Sequence, residues 1–178
     1  MLTLRFKKTL DADATLTMIR ADGSAAWTPI GAADGFGPVH DLAHVVVERQ
    51  LLLVNGTLAL VARGASFADF DDTAATRIGP DAIHAEAVAG LLALEVLTGH
   101  RLPIAAFNEG VATRCAALRP GFRVADLTPS ALHSLRTELA ALRRQWEGLD
   151  LGATLELQFG ADDRSTPEPP GRAPLTVQ

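Results

Sequence analysis

The stretch GPVHDLAHVVVERQLLLV, residues 37–54, limits the folds open to this chain. Pro38 suits the first turn of a helix, where its missing N–H costs nothing. From 38 to 53, apolar residues cover most of the helix circumference: Leu42, Ala43, Val45, Val46, Val47, Leu51, Leu52 and Leu53. Only Arg49 and Gln50 interrupt that surface. A helix on the outside of a protein shows the reverse, one apolar stripe on a polar cylinder. This helix has to be enclosed by other elements. His40, Asp41, His44 and Glu48 fall within one sector of about 100°, at about 100° per residue. Unpartnered buried carboxylates and imidazoles cost several kcal/mol. The polar edge therefore predicts an internal cavity, an internal network or a bound ion.

The enclosing elements are legible on both sides. LTLRFKKT alternates Leu2, Leu4 and Phe6 with Thr3, Arg5 and Lys7, the period of a half-buried strand. ATLTMIR follows, and the Asp22-Gly23 turn signal leads into a third strand over 25–30. ATLELQF, 153–159, alternates again and is expected beside the N-terminal meander. Residues 31–37 read as a loop. Gly79-Pro80-Asp81 opens a helix that runs to Thr98 and stops at Gly99. A further helix spans 104–118 between Pro103 and Pro120. Thr128 and Pro129 begin the last one, whose stripe of Leu132, Leu135, Leu139, Leu142 and Trp146 packs on the core. TLALVARGASFADF reads as a short helix and then a loop, and 57–72 is a candidate lid over the polar edge. The expected fold is α+β, a small antiparallel four-stranded sheet (N-terminal meander plus C-terminal strand) packed with four or five helices. It forms one domain over 1–159, with 160–178 as a disordered Pro-rich tail.

Composition removes several classes of function. A chain of 178 residues can bury a core without a structural metal, so a metal here would be functional. The net charge is −5, and Arg5, Lys7 and Lys8 are the only basic cluster, which argues against nucleic acid. Cys115 is the one cysteine, so no internal disulfide forms and a reducing compartment is expected. It sits in an apolar helical run and reads as an inert core residue. No signal-peptide core and no run of about 18 apolar residues is present. The expectation is a cytoplasmic protein with no membrane span, acting on a small-molecule substrate or forming a homodimer.

His40 and His44 stand at i and i+4, the helical two-histidine geometry of zinc and iron sites. Asp41 suits the role of acceptor for an imidazole N–H, and it could also ligate. Glu48 lies about 12 Å along the axis from His40, too far to share one ion from the same helix, so it reads as a general base or a ligand from the rim. His84, on the next helix, is the leading outside ligand; Glu86, Glu95 and Glu109 are further candidates. The cofactor would be a divalent metal (zinc, iron or manganese), with no organic cofactor indicated. Two other readings stay open. One is an ion-pair network with arginines such as Arg114 or Arg143, in a non-catalytic binding or structural domain. The other is metal-free acid–base chemistry with Asp41 orienting a histidine. His100 and His133 read as exposed.

HDLAH, His40 to His44, resembles the HDxxH zinc motif of a family of coenzyme Q biosynthesis proteins. In that family a glutamate that follows after eleven intervening residues completes the site; here the matching position is Gly56, and that ligand is missing. The family is also largely helical, unlike a chain with strands at both ends. The wider pattern, a β meander, GPVHDLAHVVVE, helices and a closing ATLELQF, is similar to a set of bacterial proteins with an HDLxHxxxE segment. That set implies a single small domain and no particular activity. The functional expectation is a metal-binding protein, a metal-dependent hydrolase or lyase. His40, His44 and His84 would be ligands, and Asp41 and Glu48 the acid–base groups.

Overall fold

The computed structural model describes residues 1–9, 14–31, 35–66 and 79–160. Its elements run β1 (Leu2–Lys8), β2 (Ala14–Arg20), β3 (Ala25–Ile30), α1 (Phe36–Gln50), α2 (Thr57–Ala62), α3 (Pro80–Thr98), α4 (Ile104–Leu118), α5 (Pro129–Glu147) and β4 (Thr154–Phe159). The fold is α+β. The four strands form one antiparallel sheet in the order β3-β2-β1-β4. The strand from the far end of the chain thus lies directly against the first one. Leu4 pairs with Met18 on one side and with Leu157 on the other.

Strand alternation divides the sheet into two faces. Leu2, Leu4, Phe6, Leu16 and Met18 point into the core with the helices. Thr3 and Arg5 point outward, to Gln158 at 3.0 Å and Glu156 at 2.8 Å. Full burial of a side chain like Phe6 is worth about 1.5–3 kcal/mol. The Asp22-Gly23 turn closes as expected. Gly23 takes φ 82° and the Arg20 amide bonds the Ser24 carbonyl at 2.8 Å.

Helix α1 is enclosed. Leu42, Ala43, Val45, Val46 and Val47 are fully buried. The helix starts two residues before Pro38, because Gly35 turns the chain at φ 76°. Gly37 then presses on Ile30 and Gly31 at the end of β3, where a Cβ would have no room. It ends at Gln50 rather than Leu53. The Leu53 amide bonds the Glu48 carbonyl at 3.0 Å and the Leu52 amide bonds the Arg49 carbonyl at 3.3 Å. That is a Schellman stop, and it forces Leu52 to φ 53°.

Two expected boundaries hold. Gly99 ends α3 at φ 68°, and the Thr128 hydroxyl caps α5 by accepting from the Ala131 amide at 3.2 Å. Residues 57–62 form α2, whereas 67–72 of the candidate lid lie outside the described residues, as does the expected tail from 161 on. Buried Glu95 fastens α3 to α5. It takes two bonds from Arg136, at 2.8 and 2.5 Å, and one from the Leu102 amide at 2.8 Å. No helix among the described residues is long and apolar enough to cross a membrane.

Candidate metal centre

The polar edge of α1 faces a cavity of about 600 Å³ between the sheet and the helices. The sheet contributes Phe6, Leu16, Met18, Thr28, Pro29 and Ile30, with Gly31 beyond β3. The helices contribute Gly37, His40, Asp41 and His44 from α1, Thr57 and Leu58 from α2, Ala82, Ile83 and Glu86 from α3, and Leu118 from α4. His40 and His44, one turn apart, present their rings edge to face with centroids 4.8 Å apart. Phe36, a further turn back, stacks on His40 at 5.1 Å.

Glu86 of α3 meets both rings. Its Oε1 lies 3.3 Å from His40 Nε2 and its Oε2 lies 3.1 Å from His44 Nε2. Two ligands each about 2.1 Å from one ion, at angles between octahedral and tetrahedral, are roughly 3.0–3.4 Å apart. Both contacts fall in that interval. One donor atom from each of His40, His44 and Glu86 lies within 4.8 Å of the others. The two close contacts use different Glu86 oxygens and 4.8 Å is wider than that interval, so the three side chains would have to draw together to hold one ion.

Glu48 stands behind this group. Its side chain has 0% exposure and does not line the cavity. Glu48 Oε1 lies 3.2 Å from His44 Nδ1, while Oε2 accepts from the amides of Leu58 at 2.9 Å and Ala59 at 3.4 Å. Glu48 thus satisfies orphan N–H groups at the start of α2 and fixes the His44 ring. At the other end of α2, Arg20 donates to the Val61 carbonyl at 2.7 Å and the Ala65 carbonyl at 2.8 Å. Gly56 leaves room for this arrangement, because a Cβ there would sit on the Glu48 carboxylate.

Both ring nitrogens of His44 face carboxylates, so without an ion both carry protons. Burial opposes the charged ring, but Glu48 and Glu86 more than offset it and raise His44 to about 10. Burial likewise opposes a charged His40, and Asp41 and Glu86 outweigh it, holding His40 above the ordinary histidine range. The Asp41 contact is a charge attraction, since 3.7 Å is too long for a hydrogen bond. Burial would raise Glu86, yet the two imidazoles hold it well below the usual carboxylate range. A divalent ion would take over the role of the Nε2 protons.

The other residues singled out in the sequence lie elsewhere. His84 stands outside the His40, His44 and Glu86 group. Its Nε2 is buried with no hydrogen-bond partner among the described residues, and burial holds it below the ordinary value. Residues 84 and 86 are about 200° apart on one helix, so only one of them turns toward α1. Glu95 is committed to Arg136, and Glu109 is exposed on α4. Arg143 bonds Glu147 at 2.6 Å and the Val96 carbonyl at 3.3 Å, while Arg114 lies over Gly90. His100 and His133 are exposed and Cys115 is buried.

Compared with known protein families, curated proteins and solved structures, the chain matches none.

Proposed function

We propose that this protein binds one divalent metal ion through His40, His44 and Glu86 and uses it in a hydrolase- or lyase-type reaction on a small molecule held in the cavity. The observation that carries the reading is the fit of two imidazoles and a carboxylate, from two helices, to the spacing of ligands around one ion. Two histidines and one carboxylate are the donor set of catalytic zinc sites and of non-haem Fe(II) sites, and both keep open positions. The HDLAH spacing, shared with a zinc motif, supports the same reading. An ion on these donors supplies Lewis acidity, enough to acidify a water or polarise a carbonyl.

The chain's own residues have separable tasks. Glu48 holds the His44 Nδ1 proton, which leaves Nε2 as the ligating atom. Among the described residues, Asp41 is the one cavity carboxylate outside the ligand group, placed to accept a proton from a bound molecule. The hydrogen bonds of His44 to Glu48 and Glu86 also permit a metal-free network, and one titration separates the two. Co²⁺ added to chelator-treated protein is expected to give a saturable visible absorption band at one ion per chain, abolished in His44→Ala. A titration with no band, and no rise in melting temperature with Zn²⁺, would establish the network instead.

A further inference from the structure

We propose that the cavity selects an uncharged small molecule with an apolar body and a single ligating group, a carbonyl or a hydroxyl, turned toward His40, His44 and Glu86. The ligating end rests on the metal reading above; the apolar, uncharged body rests on the cavity alone. Polarity in the lining is segregated. The sheet lines it with Leu16, Met18 and Ile30 and no titratable group, and Leu58 and Ile83 of the helices are apolar, while the titratable groups among the described residues come from α1 and α3 alone. The volume of about 600 Å³ falls within the range of about 300–1,000 Å³ usual for small-molecule sites.

Charge decides between ligand classes. No lysine or arginine lines the cavity among the described residues, whereas Asp41 and Glu86 both do. With His40 and His44 charged, the Asp41 and Glu86 carboxylates are balanced and no positive group is left over to pair a phosphate or carboxylate, so burying one there would be costly. A bound dication does not change that balance, because Glu86 and Asp41 together neutralise it. An ammonium substrate would in turn find both carboxylates already compensated. A neutral molecule is the one class that no element of the site opposes.

Met18 supplies the probe. The chain has two methionines, and Met1 is 76% exposed and outside the cavity lining. The full chain is labelled with [methyl-¹³C]methionine, loaded with Zn²⁺, and titrated with acetophenone, benzoate and ethylbenzene. Acetophenone is expected to shift the Met18 methyl saturably and leave Met1 unmoved, with an affinity at least about tenfold above that of benzoate. It should also bind more tightly than ethylbenzene when zinc is bound, and lose that advantage in zinc-free protein. Benzoate binding as tightly as acetophenone, or no shift at Met18, would overturn the proposal. Equal affinity of acetophenone and ethylbenzene on the zinc-loaded chain would overturn its ligating end. A chain that takes up no zinc overturns the metal reading separately, and the acetophenone and benzoate titrations of Met18 then still decide the uncharged pocket.

Discussion

Replacing Glu48 by alanine tests whether this buried carboxylate ties the candidate site to the fold. The side chain has 0% exposure, bonds the Leu58 amide at 2.9 Å and faces His44 Nδ1 at 3.2 Å. Hydrogen bonds to a charged group are worth about 1.5–3 kcal/mol each, and breaking a buried pair typically costs about 3–5 kcal/mol. Glu48→Ala should therefore lower the unfolding free energy of the metal-free protein by about 3–5 kcal/mol, a large share of the ~5–15 kcal/mol available to a domain. Glu48→Gln keeps the shape and one acceptor for the Leu58 amide but loses the charge opposite His44. It should cost about 1–2 kcal/mol. Equilibrium urea unfolding at pH 6, followed by circular dichroism with unchanged m-values, measures both. Gly56→Ala should also destabilise, because its Cβ would displace the Glu48 carboxylate. Much of that cost should vanish when it is combined with Glu48→Ala. If Glu48→Ala unfolds within about 1 kcal/mol of the parent, or no more easily than Glu48→Gln, Glu48 does not have this role.

Three further outcomes are expected. His44 is raised in the folded state to about 10 from 6.5, so its stabilisation is complete below pH 6.5 and is lost as pH rises toward 10. Glu86 is lowered from 4.5, so its contribution is present above pH 4.5 and is lost as pH falls further. The melting temperature of metal-free protein should accordingly fall between pH 6.5 and 8.5, with a shallower fall in His44→Gln; equal slopes would refute the assignment. Leu52→Gly should leave stability equal or raise it by up to ~1 kcal/mol, since Leu52 is 80% exposed at φ 53° and loses little by truncation. A clear loss in urea unfolding would count against that strain. Arg136→Ala strands buried Glu95 and should cost about 3–5 kcal/mol, whereas Arg136→Met with Glu95→Leu should recover most of it. Chemical denaturation of the pair decides this.

Much of the fold was legible because local and tertiary demands agree in this chain. Leu2, Leu4 and Phe6 alternate as an edge-on reading of β1 predicts, and Gly99 and Thr128 act as the stop and cap their types suggest. The end of α1 was less legible. Leu52 in the left-handed region is a choice that propensity disfavours, and it follows from burying Leu53 while Glu48 and Arg49 carbonyls close the turn. His40, Asp41 and His44 on one cavity wall were readable from the helical wheel. Glu48 shares their sector, but being a further turn along it reaches the start of α2 rather than the cavity. Glu86 carried a weaker signal than His84, because a lone acid in an alanine-rich run looks less like a ligand than a histidine does. Their separation on the wheel makes the two exclusive. Only the packing of α3 against α1 chooses between them, and no local pattern encodes that rotation.

The central claim is that His40, His44 and Glu86 share one ion, and calorimetric titration of Zn²⁺ into the metal-free full chain tests it most directly. Run in two buffers of different ionisation enthalpy, the titration should give one site per chain with net proton release, as the ion displaces protons from the imidazoles. His44→Ala and Glu86→Ala should each abolish binding, while His84→Ala should leave it unchanged. Zinc binding that survives both losses, or that depends on His84 instead, would contradict the account.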